Sequence, residues 1–270
     1  MEPLYPIKRR GRIWELDFLR GLAIALMIFD HIAYDFSELK SYFANWYSAG
    51  EIWHALQKWG TDFYMSDLRT AGHYAFAGLF FLLAGVSCAL SSSNFRRGLQ
   101  LAGVALCVTL ASYGATMVTG VDMLIVFGVL HCMALGILLC ALVEHCCKDK
   151  IWLLIVGSLL ILGGILIPWY DMEYITELNG HYLEVILGFH KFGADYFAFL
   201  PCGGVVLVGA YIGKSFYSER KSLLPRLDGR WNLPVCVLGR NTLAIYILHQ
   251  VVILGAILLA GVLDGLTFAF

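Results

Sequence analysis

An all-α, polytopic transmembrane helix bundle of about seven helices is the fold class this sequence predicts, and three observations predict it. The 270 residues are 59% hydrophobic and only 14% charged, with a mean hydropathy of +0.72. That balance lies far outside the range of water-soluble domains and requires lipid as the solvent. Apolar runs long enough to cross the hydrocarbon recur along the whole chain. The basic residues fall in alternate links between those runs, as the positive-inside rule requires of a polytopic protein.

The runs place helices at roughly 16 to 36, 70 to 92, 99 to 119, 123 to 144, 151 to 169, 196 to 217 and 240 to 262. The first follows Lys8, Arg9, Arg10 and Arg12, but its far end carries Asp30, His31 and Asp35 rather than a small-residue cleavage site. It therefore reads as a retained helix, not a signal peptide. Thr119-Gly120-Val121-Asp122 reads as a turn between antiparallel neighbours, and Glu144 to Lys150 is a polar break before the fifth run. With seven alternating helices, Lys8 to Arg12, Arg96, Arg97, Lys148, Lys150, Lys214, Arg220, Lys221, Arg226 and Arg230 share one side. That side is expected to be cytoplasmic, with the N-terminus inside, the C-terminus outside and the whole chain, 1–270, forming one domain in a bacterial plasma membrane. The opposite links carry Trp46, Trp53, Trp59, Trp169, Asp171 and Glu173, and their tryptophans are expected to sit at the membrane interface. A further span or re-entrant segment within 44 to 66 would change the count.

Composition also excludes. A net charge of −1 gives no signal for nucleic acid. The eight cysteines lie mostly in apolar runs, where the thiol acts as a small hydrophobe. His145-Cys146-Cys147 lacks a second ligand pair, so no metal is expected. There is no P-loop or dinucleotide fingerprint and no visible internal repeat.

The signal lies in ionisable residues inside the runs, each costing about 2.5 to 3.5 kcal/mol on insertion scales. Asp17 and Arg20 are three apart and share a helix face, which suits either an interfacial ion pair or a binding site. His31 and Asp35 are four apart, so the carboxylate can orient the imidazole. His131 lies near the start of the fourth run, and His190 and Asp195 precede the sixth. Helical rise puts His31, Asp35, His131 and Asp195 at similar depths in the outer half of the membrane. His249 lies nearer the midplane, and Arg240 and Asn241 open the seventh run on the cytoplasmic side. For any one histidine a satisfied structural role is as good a reading as catalysis; four such groups at matching depth favour a site.

Such groups suit acyl transfer, which needs a base for the acceptor's proton or a nucleophile to carry the acyl group. Arg20, Arg96, Arg97 and Arg240 are candidates for the phosphates of a coenzyme A donor, and equally for ordinary positive-inside anchors. Four stretches sharpen this reading: Arg12 to Ile24 with Met27 to His31, Phe127 to Cys132, Asp195 to Pro201, and Leu238 to Gln250. Together they resemble the heparan-alpha-glucosaminide N-acetyltransferase catalytic-domain family, within the wider transmembrane acyltransferase superfamily, and mark a short bacterial-type member. The resemblance implies acetyl transfer from cytoplasmic acetyl-CoA to an amino sugar or other saccharide across the membrane. His31 is then expected as base or acetyl carrier, with Asp35, His131 and Asp195 in the catalytic set. Asp17, Arg20, Arg96, Arg97, Arg240, Asn241 and His249 are expected on the donor. The expected partners are acetyl-CoA, the saccharide acceptor, the lipid bilayer and, as an option, a second copy in a homodimer. Two other readings use the same residues: a proton-coupled transporter or flippase relaying protons, and an assembly subunit whose polar groups join helices.

Overall fold

The computed structural model of the chain describes residues 12–167 and 172–269. Lys8, Arg9, Arg10, Trp169 and Asp171 lie outside the described residues. The described chain is a helical bundle, and each of the seven expected runs contains a helix. Five are long and apolar enough to cross a membrane: Asp67–Leu90, Asn94–Thr119, Val129–Cys146, Phe199–Phe216 and Thr242–Leu263. In the first of these, α4 (Asp67–Val86) ends in a 3-10 turn, Ser87–Leu90. The others are α5, α6, α9 and α11. The fifth run is shorter, α7, Ile151–Leu166.

The first run is α1, Trp14–Ser37. Its 24 residues span about 36 Å at the α-helical rise, but it carries Glu15, Asp17, Arg20, Asp30 and Asp35. Ionised groups this costly to desolvate must find partners, and the neighbours of α1 supply them. Glu15 accepts from the Leu223 backbone N–H at 2.7 Å and the Ser222 hydroxyl at 2.8 Å. Asp17 takes Arg20 and Arg240. Asp30 receives a two-pronged bond from Arg69, at 2.7 and 2.8 Å. Asp35 receives Tyr42 and Gln250. The polar face of α1 thus orders the bundle: α3 (Glu51–Tyr64), α4, α10 (Leu233–Arg240) and α11 pack against it. A second, apolar layer is built on α9, which packs against α4, α6 and α7 around Phe81, Cys132, Ile137, Val206 and Leu207.

Helix ends depart from the hydropathy in three places. The fourth helix begins at Val129, not near 123, because the backbone of 123–128 is used by other partners. Met123 and Ile125 donate to the Thr116 and Ser112 hydroxyls, and the Leu124 carbonyl accepts from Ala194 at 2.9 Å. Arg240 closes α10 rather than opening the last helix, and Asn241 is the joint to α11. The third departure is at the end of the bundle opposite Arg20, here the distal end. There the short α2 (Leu39–Tyr42) and the following loop fold onto residues 264–269. Ala44 donates to the Thr267 carbonyl, Ala269 to that of Tyr42, and the Trp53 indole to Asp264 at 2.7 Å. Trp46 and Trp53 are consequently buried in this cap with Leu39, Phe43 and Leu266. Trp59, which stacks on Phe63, stays exposed.

The distal end also carries a strap between α7 and α9. A parallel two-residue pairing joins β1 (Glu173–Tyr174) to β2 (His190–Lys191), with the short α8 (Tyr182–Leu187) between them. Gly188, at φ +108°, turns the chain back towards β2. His181 and His190 both bond Glu184 here and hold its carboxyl below the usual carboxylate range.

At the proximal end α1 and α10 touch backbone to backbone. A Cβ added at Gly239 would lie 1.7 Å from the Asp17 carbonyl oxygen, and one at Gly21 would lie 1.9 Å from that of Val235. Small residues at such crossings let helices approach closely. Gly239→Ala is therefore expected to cost about 3 kcal/mol or more, at or beyond the upper end of overpacking penalties. Gly255→Ala, where nothing lies within 4 Å of the added atom, should stay within about 1 kcal/mol of neutral. Thermal unfolding in detergent measures both, and equal melting points for the two variants would disprove the contact.

Candidate active site

Two polar sites sit on α1, one at each end of a line along the helix. At the proximal end Asp17 is 6% exposed and gathers cations. Arg20 Nη1 lies 3.0 Å from one carboxylate oxygen, Arg240 Nε 3.2 Å and Arg12 Nη1 3.9 Å from the other. Arg20 also donates to the Ser87 hydroxyl at 2.7 Å. Arg97 stands within electrostatic range of Arg20 and donates to the Ala84 carbonyl at 3.3 Å. Three guanidiniums thus meet one carboxylate and a fourth, Arg97, stands near Arg20, leaving an excess of positive charge for an anion. Asp17, Arg20, Arg97 and Arg240, expected on the donor, are brought together. Arg96 is not: it is exposed on α5. Asn241 is also exposed, and its amide donates to the Val237 carbonyl. A cleft of about 640 Å³ opens at the same end, lined in part by Ser91, Ser92, Ser93, Lys150 and Lys214.

The second site lies on α1 about 16 Å further on, counted from Arg20 to His31 at 1.5 Å per residue. His31 and His249 meet edge to face, with ring centroids 4.7 Å apart and planes at 86°. His31 Nδ1 is 2.9 Å from the Met27 carbonyl, and His249 Nδ1 is 2.7 Å from that of Tyr246. A carbonyl only accepts, so each Nδ1 carries a proton, and in the neutral ring each Nε2 keeps its lone pair. The Nε2 of His249 is buried without a hydrogen-bond partner. Both imidazoles are thus fixed in the tautomer that a base or nucleophile needs. His249, expected on the donor, stands instead against His31.

Asp195 reaches this site from the strap. Its Oδ2 accepts the Tyr246 hydroxyl at 3.1 Å and the Val129 backbone N–H, at the start of α6, at 3.2 Å. His31 and His131 are both within electrostatic range of it. Asp35, fully buried, does not hydrogen-bond His31. Its carboxylate is held by Gln250 at 2.9 and 3.1 Å and by Tyr42 at 3.2 Å. His131 has no free lone pair. Its Nδ1 accepts the Gly128 N–H at 3.3 Å, so its Nε2–H faces the Thr109 hydroxyl at 3.0 Å. That ring locks the start of α6.

Sequence reasoning missed the distal group on the other flank of α1. Arg69 bonds Asp30 and lies 4.0 Å over the Tyr64 ring. His73 Nδ1 is 3.5 Å from the same carboxylate. Arg69 and His73 are four apart at the start of α4, so the spacing was a readable sign of one shared face. Nothing in the sequence paired that face with Asp30.

The family profile described as heparan-alpha-glucosaminide N-acetyltransferase, catalytic, matches residues 12–251. That interval contains both polar sites and every residue of the His31–His249 group. No curated protein and no solved structure gives a match.

Proposed function

We propose that the chain, which belongs to the heparan-alpha-glucosaminide N-acetyltransferase catalytic family, moves an acetyl group from cytoplasmic acetyl-CoA to an amino sugar or other saccharide on the far side of a bacterial plasma membrane. The family makes it a membrane acetyltransferase, and its apolar helices make it an integral membrane protein. The direction of transfer, the donor, the acceptor and the residue roles are our reading.

The observation that carries the reading is the pair of imidazoles at 4.7 Å, each with Nδ1 turned to a backbone carbonyl and Nε2 left for chemistry, with His31 on the same helix as Asp17 and Arg20 of the arginine cluster. The proximal end is taken as cytoplasmic because Arg12, Arg96, Arg97, Lys148, Lys150, Lys214 and Arg220 gather there. Arg20, Arg97 and Arg240 hold the donor's phosphates, with Asp17 orienting them. The pantetheine arm then extends along α1 and presents the thioester to His31. As a base, His31 Nε2 takes the proton of the acceptor amine or hydroxyl while that atom attacks the thioester carbonyl, and the proton passes to the departing coenzyme A thiolate; as a carrier, Nε2 itself attacks the carbonyl, expels the thiol and then yields the acetyl group to the acceptor. His249 and the Tyr246–Asp195 pair line the opposite wall.

The test is acetyl-CoA labelled in the acetyl group, incubated with purified protein and a panel of amino sugars and other saccharides. Labelled sugar that disappears in His31→Ala supports the proposal. Acetyl-CoA that neither binds nor turns over against the whole panel overturns it. The second reading, a proton-coupled transporter, has no transport-specific observation in its favour.

A further inference from the structure

We propose that the distal strap holds a divalent transition-metal site, of the kind zinc fills, made by His181 Nδ1, a Glu184 carboxylate oxygen and His190 Nε2. The three donor atoms lie within 4.8 Å of one another. Glu184 Oε2 is the common point, 2.5 Å from His181 Nδ1 and 3.1 Å from His190 Nε2. Two ring nitrogens therefore aim at one oxygen, each supplying a proton to it when no ion is bound. A single dication among the three atoms takes the lone pairs of both ring nitrogens, each neutral imidazole carrying its proton on the other ring nitrogen instead, and takes up the negative charge of the carboxylate. Two imidazoles and one carboxylate are a donor set that zinc accepts, with water completing a four-coordinate shell.

The donors are held rather than merely adjacent. His181 immediately precedes α8 and Glu184 lies in its first turn. Val185, next to Glu184, is 1% exposed, and its carbonyl accepts the Tyr196 hydroxyl at 2.8 Å. His190 is pinned by the β1–β2 pairing. The site is also open to ions from solution, since the His181 and Glu184 side chains are about half exposed. Among the described residues, the ion pairs of this carboxylate are with the two imidazoles, and Lys191 belongs to the next position of the strand.

Its consequence reaches the interior. His190 is five residues ahead of Asp195, and the chain between them is tied to the bundle through Ala194 and Leu124. Metal at the strap fixes the segment that carries Asp195 to Tyr246, so the ion acts as a positioning clamp and not as a participant in transfer. The site stands independently of the acetyl-transfer reading, because metal binding is read without any substrate.

The experiment uses the full-length protein in detergent, free of any polyhistidine tag and stripped with chelator. Zinc is titrated by calorimetry, and bound metal is counted by elemental analysis after desalting. Wild type is expected to bind one zinc ion per chain and to melt at a higher temperature with zinc present. Glu184→Gln and His190→Ala, each shown to be folded by circular dichroism and gel filtration, should lose both effects. Cobalt(II) in place of zinc should give visible d–d bands without the thiolate charge-transfer band that Cys146 or Cys147 would produce. Should His190→Ala fail to fold, His181→Asn takes its place. Wild type that binds no zinc at micromolar concentration, or variants that bind it as wild type does, would falsify the site and leave a plain His–Glu–His hydrogen-bond cluster.

Discussion

His31→Ala is expected to lower acetyl transfer by about 10² to 10⁴-fold, the range over which a positioned acid–base group acts, with little change in the apparent affinity for acetyl-CoA. The split follows from position. His31 sits about 16 Å along α1 from Arg20, so its loss removes a group that touches the thioester and leaves the phosphate contacts in place. A variant impaired in rate but not in donor binding has lost an interaction made only in the transition state. His131→Ala is the control. It also removes a distal histidine, but one whose two nitrogens are already occupied by Gly128 and Thr109. It should cost about 1 to 3 kcal/mol of stability, through the Gly128 N–H left unpaired, while transfer is retained. Initial rates and melting curves on the two variants distinguish the roles. A folded His31→Ala enzyme working at the wild-type rate would remove His31 from the mechanism. Acid-quenched mass spectrometry of wild type with acetyl-CoA alone then separates base from carrier, since only a carrier gains 42 mass units, about one acetyl group, on the His31 peptide.

The contrast between these two histidines shows what the sequence could carry. Run length placed a helix in all seven segments because lipid leaves the backbone no alternative, and that constraint acts locally. Spacing found Asp17 with Arg20 for the same reason: three residues along a helix is a contact. Depth arithmetic brought His31, His131, Asp35 and Asp195 to one level, and the structure does collect them in one region. Depth does not fix azimuth, however. Which ring meets which depends on how α1 and α11 are rotated, and that is set by packing at remote points such as Gly21 against Val235. So the i,i+4 pairing of His31 with Asp35 gave way to Gln250, 215 positions away in the chain. The same limit hid the Arg69–Asp30 pair. It also hid the distal cap, where Trp46 and Trp53 had the composition of interfacial residues but found partners near the C-terminus. The irregular 123–128 stretch misled for a different cause. Its residues are apolar enough for a helix, but hydropathy carries no information about backbone hydrogen bonds offered by the strap.

Asp17→Asn should be the most destabilising single change to a charge in this chain, by about 3 to 5 kcal/mol, the cost of leaving one side of a buried ion pair without its partner. Asp17 is acceptor for Arg20 and Arg240 and stands 3.9 Å from Arg12. With the carboxylate neutralised, these guanidiniums and that of Arg97 repel one another in a poorly solvated crossing of α1 and α10. Asparagine preserves shape and one acceptor, so the loss reports charge rather than packing. Two further measurements tie the effect to the site. Arg20→Gln combined with Asp17→Asn should recover part of the lost melting temperature, because the double change removes a cation along with its counter-ion, and coupled neighbours depart from additivity in this way. Coenzyme A should also raise the melting temperature of Asp17→Asn. Its phosphates bring negative charge to the arginines that have lost theirs, and a ligand binding only the folded state stabilises it. Additive single and double changes would show that Asp17 and Arg20 are not coupled. A melting point indifferent to coenzyme A in both wild type and Asp17→Asn would mean that the arginine cluster is a structural joint between α1 and α10 and that the donor binds elsewhere.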